Sequence, residues 1–221
     1  MTETRRRFDL IVFDWDGTLM DSTSLIAKSL QAACRDLELD VPTAYQANHV
    51  IGLGLAEAIH YLAPTLPVAD HPRLAERYRH HYLGQDIESD LFEGVPAFLA
   101  ALREQGYSLA VATGKARRGL DRVLGHTGLA ALFHATRCAD ETFSKPHPAM
   151  LLELMDVLFV EPARTLMIGD TTHDLQMARN AGVHSVALTH GAHPLEALEA
   201  ESPLAIVDSI IQLQAWLRQN G

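Results

Sequence analysis

The sequence predicts an α/β fold in which a parallel sheet carries an inserted block of helices. Two observations predict it. A strand pattern stands alone near the N terminus, at 8–13, and after residue 94 strand patterns alternate with helical patterns. Between these regions, from about 20 to 90, apolar residues follow helical spacings and no convincing strand occurs. We therefore expect one core, formed by residues 1–18 and 92–221, that is interrupted by a helical domain at 19–91.

The first strand and the first helix differ in the period of their apolar residues. The run at 8–13 is mostly apolar and β-branched, which is typical of a strand buried on both faces of a parallel sheet. It ends at Asp14, where a polar loop begins. From Ser22 the apolar residues recur every three or four positions and predict an amphipathic helix with the stripe Ile26, Leu30, Ala33 and Leu37.

The rest of the core is expected to alternate strands with helices. Pro96 stands where a first-turn proline starts a helix, and Gly106 follows the end of that helix at Gln105. Further strands are predicted at 107–113, 133–138, 165–169, 185–188 and 205–207. Further helices are predicted at about 147–159 and 172–181, with a terminal helix that ends at 219. Such alternation indicates a parallel sheet covered on both faces.

Length, composition and charge exclude several classes of protein. The 221 residues suffice for one core with a smaller appended domain, and 48% hydrophobic content is ordinary for a globular protein. Eighteen Lys and Arg against 28 Asp and Glu give a net charge of −10, which argues against a nucleic-acid partner. No apolar run approaches the roughly 18 residues of a membrane span, so no membrane partner is expected. Cys34 and Cys138 are too few for a disulfide framework, so we expect reduced thiols and a cytoplasmic location.

Polar residues follow the predicted strands at positions where ligands bind in parallel sheets. Asp14, Thr113 and Asp170 come at the ends of three strands, and Lys145 precedes a helix. Because the carboxyl ends of parallel strands share one edge of the sheet, these four side chains are expected to meet in one crevice. Each of them alone has an ordinary explanation as a turn, cap or surface residue. Those ordinary roles explain their joint placement poorly.

Four short segments resemble the motifs of one enzyme family. They are Asp14–Thr18 after the first strand, Thr113, Lys145-Pro146, and Gly169–Asp174. Together they are similar to the four motifs of the haloacid dehalogenase-like superfamily, and the inserted helices resemble the cap of its phosphoglycolate phosphatase-like branch. The resemblance extends from Phe8 to about Val207. It implies a Rossmann-like parallel sheet core, an α-helical cap domain and the activity of a phosphoric monoester hydrolase.

The resemblance also implies roles for the carboxylates. Asp14 is the expected nucleophile, which forms an aspartyl-phosphate, and Asp16 is the expected acid for the leaving group and later the base for water. Mg²⁺ is the expected cofactor, held by Asp14, Asp170 and the backbone carbonyl of Asp16. The presence of Asp16 also argues against haloacid dehalogenation, because the dehalogenases lack an acid at that position.

Three further residues are assigned to the phosphate by the same resemblance. Thr113 and the backbone N–H of Gly114 are expected to donate to phosphoryl oxygens, and Lys145 is expected to offset part of their charge. Asp174 is expected to orient Lys145 or a metal-bound water. Several relatives carry Asn where this chain has Gly114, so a side-chain contact with substrate is expected to be absent.

Several functions share this motif set and stay open. The substrate is expected to be a small phosphate ester such as phosphoglycolate, a sugar phosphate or a nucleotide. A pyrophosphatase and a β-phosphoglucomutase-like phosphotransferase use the same motifs, and the chain is expected to be a monomer or a homodimer. The alternative from another class is a phosphate- or protein-binding module without catalysis. Such a module would be expected to have lost Asp14, Asp16, Lys145 or Asp170, yet all four are present.

The inserted helices are expected to close over the crevice and to exclude water from it. Segments 19–22 and 92–94 are the expected hinges, and the loop at 52–54 either reaches into the crevice or only separates two helices. Cations of the insertion that could bind a second anionic group are Lys28, Arg35, Arg73, Arg77 and Arg79. The close histidine pairs, His80 with His81 and His190 with His193, are expected to have surface or capping roles.

Overall fold

The computed structural model contains a six-stranded parallel sheet, and it describes residues 6–83, 85 and 89–221. The strands are β1 (Leu10–Phe13), β2 (Ser108–Thr113), β3 (Ala135–Cys138), β4 (Thr165–Gly169), β5 (His184–Leu188) and β6 (Ala205–Val207). Their order across the sheet is β3-β2-β1-β4-β5-β6, and every pairing of neighbours is parallel. The chain thus places β1 near the centre, between β2 and β4.

Helices connect the strands and also fill the segment between β1 and β2. Before β2 lie α1 (Thr23–Asp36), α2 (Ala44–His49), α3 (Leu55–Leu62), α4 (His71–Tyr82) and α5 (Val95–Glu104). After β2 lie α6 (Arg117–Thr127), α7 (Ala149–Leu158), α8 (Thr172–Asn180), α9 (Leu195–Ala200) and α10 (Ile210–Asn220). Pro96 lies in the first turn of α5, where its missing N–H costs no hydrogen bond.

Helices cover both faces of the sheet, which explains the apolar character of its strands. Along β1, Ile11 and Phe13 cluster with side chains of α5, α6 and α10, whereas Leu10 and Val12 cluster with those of α7 and α8. All four side chains are fully buried. A strand that is covered on both faces has no polar side, so its sequence lacks the alternation of a half-exposed strand.

The helices α1 to α4 form an insertion that packs on itself. Helix α1 packs along α4, and two apolar clusters lie among these helices. The chain leaves and re-enters the core at adjacent points, because Met20 pairs with Leu91 in an antiparallel bridge and Phe92 N–H donates to the Leu19 carbonyl. We call these two short stretches, 19–20 and 91–92, the neck of the insertion.

The fold class expected from the sequence is confirmed: helices cover both faces of a parallel sheet, and a helical insertion follows its first strand. The first strand is shorter than expected and begins at Leu10. Sequence reasoning missed α6 and the six-residue α9. Helix α6 contains two glycines, which lower its helix propensity, although its buried residues Leu120, Val123 and Leu124 lie at helical spacing. Among the described residues, no helix is long and apolar enough to cross a membrane.

Candidate active site

The carboxyl edge of the sheet gathers the expected site residues around its central strand. Asp14 follows β1, Thr113 ends β2 and Asp170 follows β4. Strands β2 and β3 lie on one side of β1, and β4 to β6 lie on the other. The order of strands thus reverses direction beside β1, which is where parallel sheets form ligand crevices. All three side chains are buried.

Lys145 joins two aspartates through its ammonium group. Its Nζ lies 2.7 Å from Asp14 Oδ1 and 2.7 Å from Asp174 Oδ1. None of the three side chains exposes more than 1% of its surface. Removal of one member of such a buried group would leave an uncompensated charge, so the group is stable only when complete. The arrangement therefore holds Asp14 in a fixed orientation.

Burial and neighbouring charges shift the pKa values in this cluster. Burial raises the pKa of Asp14 to about 7, against an opposing effect of Lys145 and with further increases from Asp174 and Asp16. Burial acts to lower the pKa of Lys145, but Asp14 and Asp174 together raise it above its usual value. The lysine therefore stays charged at physiological pH, whereas the fold resists ionisation of Asp14.

Asp170 is fixed by hydrogen bonds from two different loops. Thr18 Oγ1 donates to its Oδ1 at 2.6 Å, and the backbone N–H of Ala192 donates to its Oδ2 at 2.7 Å. A Cβ added at Gly17 or Gly191 would overlap this carboxylate, so both positions require the small residue. Burial, followed by repulsion from the aspartates nearby, raises the pKa of Asp170 well above its usual value.

Three of the carboxylates are close enough to share a cation. Asp14, Asp170 and Asp174 each offer one oxygen within 4.8 Å of the others. Asp14 Oδ2 is buried and has no hydrogen-bond partner in the described part of the chain. Such an oxygen is costly unless an ion or a water satisfies it. Oxygen donors suit Mg²⁺ better than zinc, and Asp174 joins the two aspartates that the sequence assigned to the metal.

Asp174 is oriented by the start of the helix that carries it. The backbone N–H and Oγ1 of Thr171 donate to Asp174 Oδ2 at 3.1 and 2.6 Å, and Asp174 N–H donates back to Thr171 Oγ1. This reciprocal capping box begins α8. It leaves Oδ1 facing Lys145, so one residue both caps the helix and orients the lysine.

Asp16 lies in a separate group of polar side chains. Ser22 Oγ donates to Asp16 Oδ1 at 2.5 Å, and Lys115 Nζ lies 3.0 Å from the same oxygen. Lys115 also donates to Tyr82 Oη at 2.6 Å. Sequence reasoning missed Ser22, Lys115 and Tyr82 as site residues. The only available signal was that Lys115 follows Thr113 by two positions, at the end of a core strand.

The loop at 52–54 reaches over the end of β2. A Cβ added at Gly114 would lie 2.7 Å from the Gly52 carbonyl oxygen and would overlap that of Leu53. The backbone N–H of Gly54 donates to Ser144 Oγ at 2.7 Å, which fastens the loop to the core. A side chain at position 114 would collide with this loop, which is the physical reason for glycine there. Of the two possibilities for this loop, the structure shows the one in which it enters the crevice.

A group of three histidines fastens the insertion to the core beside the aspartates. His173 and His193 both donate from Nε2 to the carbonyl oxygen of His49, at 2.7 and 3.1 Å. His193 Nδ1 accepts the backbone N–H of Thr172 at 3.0 Å. Burial lowers the pKa of His173, and burial together with His173 lowers that of His193 to about 4, so both are neutral.

These contacts decide what the histidines can do. The three rings could hold a metal ion by distance alone. Within the described chain, however, His193 uses one ring nitrogen as acceptor and the other as donor, which leaves neither for a cation. A surface role is wrong for His193, which is 5% exposed because α2 covers it. The sequence predicted either a surface role or a capping role. His193 has the capping role, because its Nδ1 accepts the backbone N–H of Thr172, the first residue of α8.

A cavity of about 640 Å³ opens between the insertion and the core and reaches Lys145. Its lining is His49, Leu53, Ala56, Glu57, His60, Tyr61, Lys145, Pro146, His173 and Gln176. The sequence offered five cations of the insertion as possible ligands for a second anion. Within the part of the chain that the structure describes, none of them lines this cavity. Arg77, for example, pairs with Asp36 on the surface.

Most of this chain matches the sequences of hydrolases and phosphatases. The family model described as "Haloacid dehalogenase-like hydrolase" matches residues 11–188. A relative from Dickeya dadantii named "Probable phosphatase IndB" is 37% identical over 210 residues, which cover 92% of this chain and 91% of the relative. A phosphoglycolate phosphatase from Aliivibrio fischeri is 34% identical over 218 residues, with coverage of 94% and 96%.

The similarity to solved structures extends over nearly the whole chain, including the helical insertion. A "predicted phosphatase" from Clostridium acetobutylicum matches with a TM-score of 0.85 and 25% identity, over 96% of this chain and 99% of that one. A hydrolase from Pseudomonas syringae matches with a TM-score of 0.88 over 96% and 98%, and at 20% identity it shows the fold alone.

Proposed function

The chain belongs to the haloacid dehalogenase-like hydrolase family and is a phosphatase, and from that premise we propose that it hydrolyses a small phosphate monoester through an aspartyl-phosphate on Asp14. The observation that carries the proposal is buried Lys145, whose ammonium lies 2.7 Å from both Asp14 and Asp174. Lys145 binds one oxygen of Asp14, and in the part of the chain that the structure describes Oδ2 has no hydrogen-bond partner. A carboxylate held in this way is positioned for attack on phosphorus.

The proposed chemistry has two half-reactions. In the first, a carboxylate oxygen of Asp14 attacks phosphorus, the bond from phosphorus to the alcohol oxygen breaks, and Asp16 gives that oxygen a proton. In the second, Asp16 takes a proton from water, the water oxygen attacks phosphorus, and the bond to Asp14 breaks. The products are the alcohol and inorganic phosphate. Asp16 serves first as acid and then as base because the first half-reaction leaves it deprotonated.

Charge repulsion is the main obstacle to this attack. A carboxylate about 4 Å from a phosphate dianion is opposed by roughly 8 kcal/mol at an effective dielectric constant near 20. Lys145 supplies one compensating charge. Mg²⁺ would be held by Asp14, Asp170 and the backbone carbonyl of Asp16, with Asp174 beside it, and when bound it supplies the remaining positive charge. The orphaned Asp14 Oδ2 and the cluster of three carboxylates support this assignment.

Thr113 and Gly114 are proposed to bind the phosphoryl group. Thr113 Oγ1 accepts the backbone N–H of Lys115 at 3.2 Å, so its own hydroxyl proton stays available for donation. The cap, for which we keep the limits 19–91, is proposed to exclude water during the reaction. Its loop over Gly114 and the histidine contacts with His49 support this role.

Phosphoglycolate is the first substrate to test, because relatives named phosphoglycolate phosphatase match nearly the whole chain. Sugar phosphates, nucleotides and pyrophosphate stay as alternatives, as does phosphotransfer between sugar hydroxyls. We propose a monomer or homodimer in the cytoplasm.

The test measures phosphate release from phosphoglycolate, sugar phosphates, nucleoside monophosphates, pyrophosphate and 4-nitrophenyl phosphate, with Mg²⁺ and with EDTA. We expect release that requires Mg²⁺. Asp14→Asn should lower kcat by more than about 10³-fold, because the amide cannot form the covalent intermediate. Asp156→Asn, which makes the same change on the exposed side of α7, is the matched control and should keep full activity. Appreciable turnover by Asp14→Asn would remove Asp14 as nucleophile, and transfer of phosphate between sugars without release would indicate a mutase.

A further inference from the structure

A second buried lysine lies beside Asp16, and the two half-reactions leave it without a role. Lys115 Nζ lies 3.0 Å from Asp16 Oδ1 and 2.6 Å from Tyr82 Oη. The side chains of Lys115 and Asp16 are only 7% and 9% exposed. Lys115 follows β2 in the core, whereas Tyr82 is the last residue of α4 in the insertion. These groups, together with Ser22, form a contact between core and insertion that we call the Asp16 junction.

The junction acts on one oxygen of the Asp16 carboxylate. Ser22 Oγ donates to Oδ1 at 2.5 Å, and Lys115 Nζ faces that same atom. Among the described residues, the structure shows no such bond to Oδ2. Ser22 and Lys115 thus both engage Oδ1, and Oδ2 is the oxygen left to exchange a proton with the leaving group or with water.

We propose that Lys115 and Tyr82 are positioning residues that fix which oxygen of Asp16 transfers the proton. This inference rests on the proposed function, in which Asp16 is the acid and base. Tyr82 holds the ammonium through its hydroxyl, at 2.6 Å from Lys115 Nζ. Because Tyr82 belongs to the insertion, Lys115 is held against Asp16 only while the insertion lies over the core. Proton transfer is thereby coupled to closure of the site.

Tyr82→Phe tests the proposal by removing one oxygen atom. The measured quantity is kcat/KM with Mg²⁺ for two esters, because kcat/KM reports the first half-reaction, in which the leaving group departs. One ester is the alkyl phosphate of the panel with the highest kcat/KM, whose alkoxide needs a proton. The other is 4-nitrophenyl phosphate, whose phenolate leaves without one. We expect kcat/KM to fall about tenfold for the alkyl ester and less than about twofold for the aryl ester.

The control variant is Tyr45→Phe, which removes a hydroxyl from an exposed tyrosine of the same insertion and should change neither value. Lys115→Met should widen the difference between the two esters to about 100-fold, and Lys115→Arg should restore part of the activity on the alkyl ester because it keeps the charge. Thermal unfolding of each variant shows whether it is folded, and Lys115→Met serves as the test if Tyr82→Phe is not folded.

Equal losses on the two esters would overturn the inference, because that pattern indicates weaker closure alone. If the wild type releases phosphate while the ratio of the two esters stays unchanged in the variants, only this inference fails. If the wild type releases no phosphate from any ester, the proposed function fails and the inference fails with it.

Discussion

The two buried lysines of the site differ in which parts of the molecule hold them. Lys145 lies between Asp14 and Asp174, and all three residues belong to the sheet core. Lys115 lies between Asp16 of the core and Tyr82 of the insertion. The first group exposes at most 1% of each side chain, whereas Lys115 and Asp16 expose 7% and 9%.

This difference separates two tasks. The Lys145 group is complete without the insertion, so Asp14, the proposed nucleophile, is expected to keep its orientation whether the site is open or closed. The Lys115 group is complete only when α4 lies against the core. We therefore expect substrate to enter a site in which Asp14 is already oriented. Asp16, the proposed acid and base, is expected to become fully oriented when the insertion closes over the core.

The largest expected effect is on stability, and its absence would contradict this comparison. Lys145→Met leaves Asp14 and Asp174 buried without a cation, so we expect a loss of about 3–5 kcal/mol in the free energy of unfolding at pH 8. Lys115→Met should cost less than half as much, because Asp16 keeps its Ser22 hydroxyl and some exposure to water. Urea unfolding followed by circular dichroism measures both, with exposed Lys28→Met as control. Equal losses for Lys145→Met and Lys115→Met would contradict the distinction.

An intermediate effect concerns pH and Mg²⁺. The pKa of Asp14 is about 7 in the fold, above the value near 3.9 of an unfolded chain, so the folded protein binds this proton more tightly. Without Mg²⁺, the free energy of unfolding should therefore fall as pH rises from about 4 to about 7.

Mg²⁺, which is proposed to bind the ionised carboxylates, should reverse this loss, so it should raise Tm more at pH 8 than at pH 5. At 100 times its Kd, it adds about 2.7 kcal/mol. Differential scanning fluorimetry at constant ionic strength measures the difference, and Asp14→Asn should reduce it. Equal Tm increments at the two pH values would show that the buried carboxylates do not bind the ion.

The smallest expected effect sharpens the part of the comparison that concerns closure. His193→Ala removes a donor to the His49 carbonyl and the acceptor of Thr172 N–H, at a cost of about 1–2 kcal/mol in stability. It should raise KM severalfold and lower kcat/KM equally for the alkyl and aryl esters, since it makes closure rarer but leaves the arrangement around Asp16 in the closed site unchanged. Steady-state kinetics tests this against His126→Ala, an exposed histidine of α6. Unequal losses on the two esters would mean that the histidines also influence proton transfer.

The residues at strand ends could be predicted from the sequence, and their partners across the site could not. Asp14, Asp170 and Thr113 follow strands whose carboxyl ends must share an edge, so their convergence depends only on the parallel sheet. The positions of Tyr82 and His193 relative to Asp16 and His49 depend on the angle at which the insertion meets the core. No periodicity in the sequence encodes that angle.

The same limit applies to the fold. The buried strands were predictable because they are short apolar runs, and the long helix α1 was predictable because its apolar residues follow a helical period. Helix α6 has apolar residues at helical spacing, but its two glycines lower its helix propensity, and packing against the sheet stabilises it.

The neck has a consequence for how such enzymes diversify. The insertion leaves and re-enters the core at Leu19 and Phe92, which are hydrogen-bonded to each other. The core thus requires of an insertion only that its two ends lie close together. Insertions of different length or sequence can therefore be exchanged there at little entropic cost to the core. The carboxylates of the proposed active site then stay in place while the helices that lie over the crevice are replaced as a module.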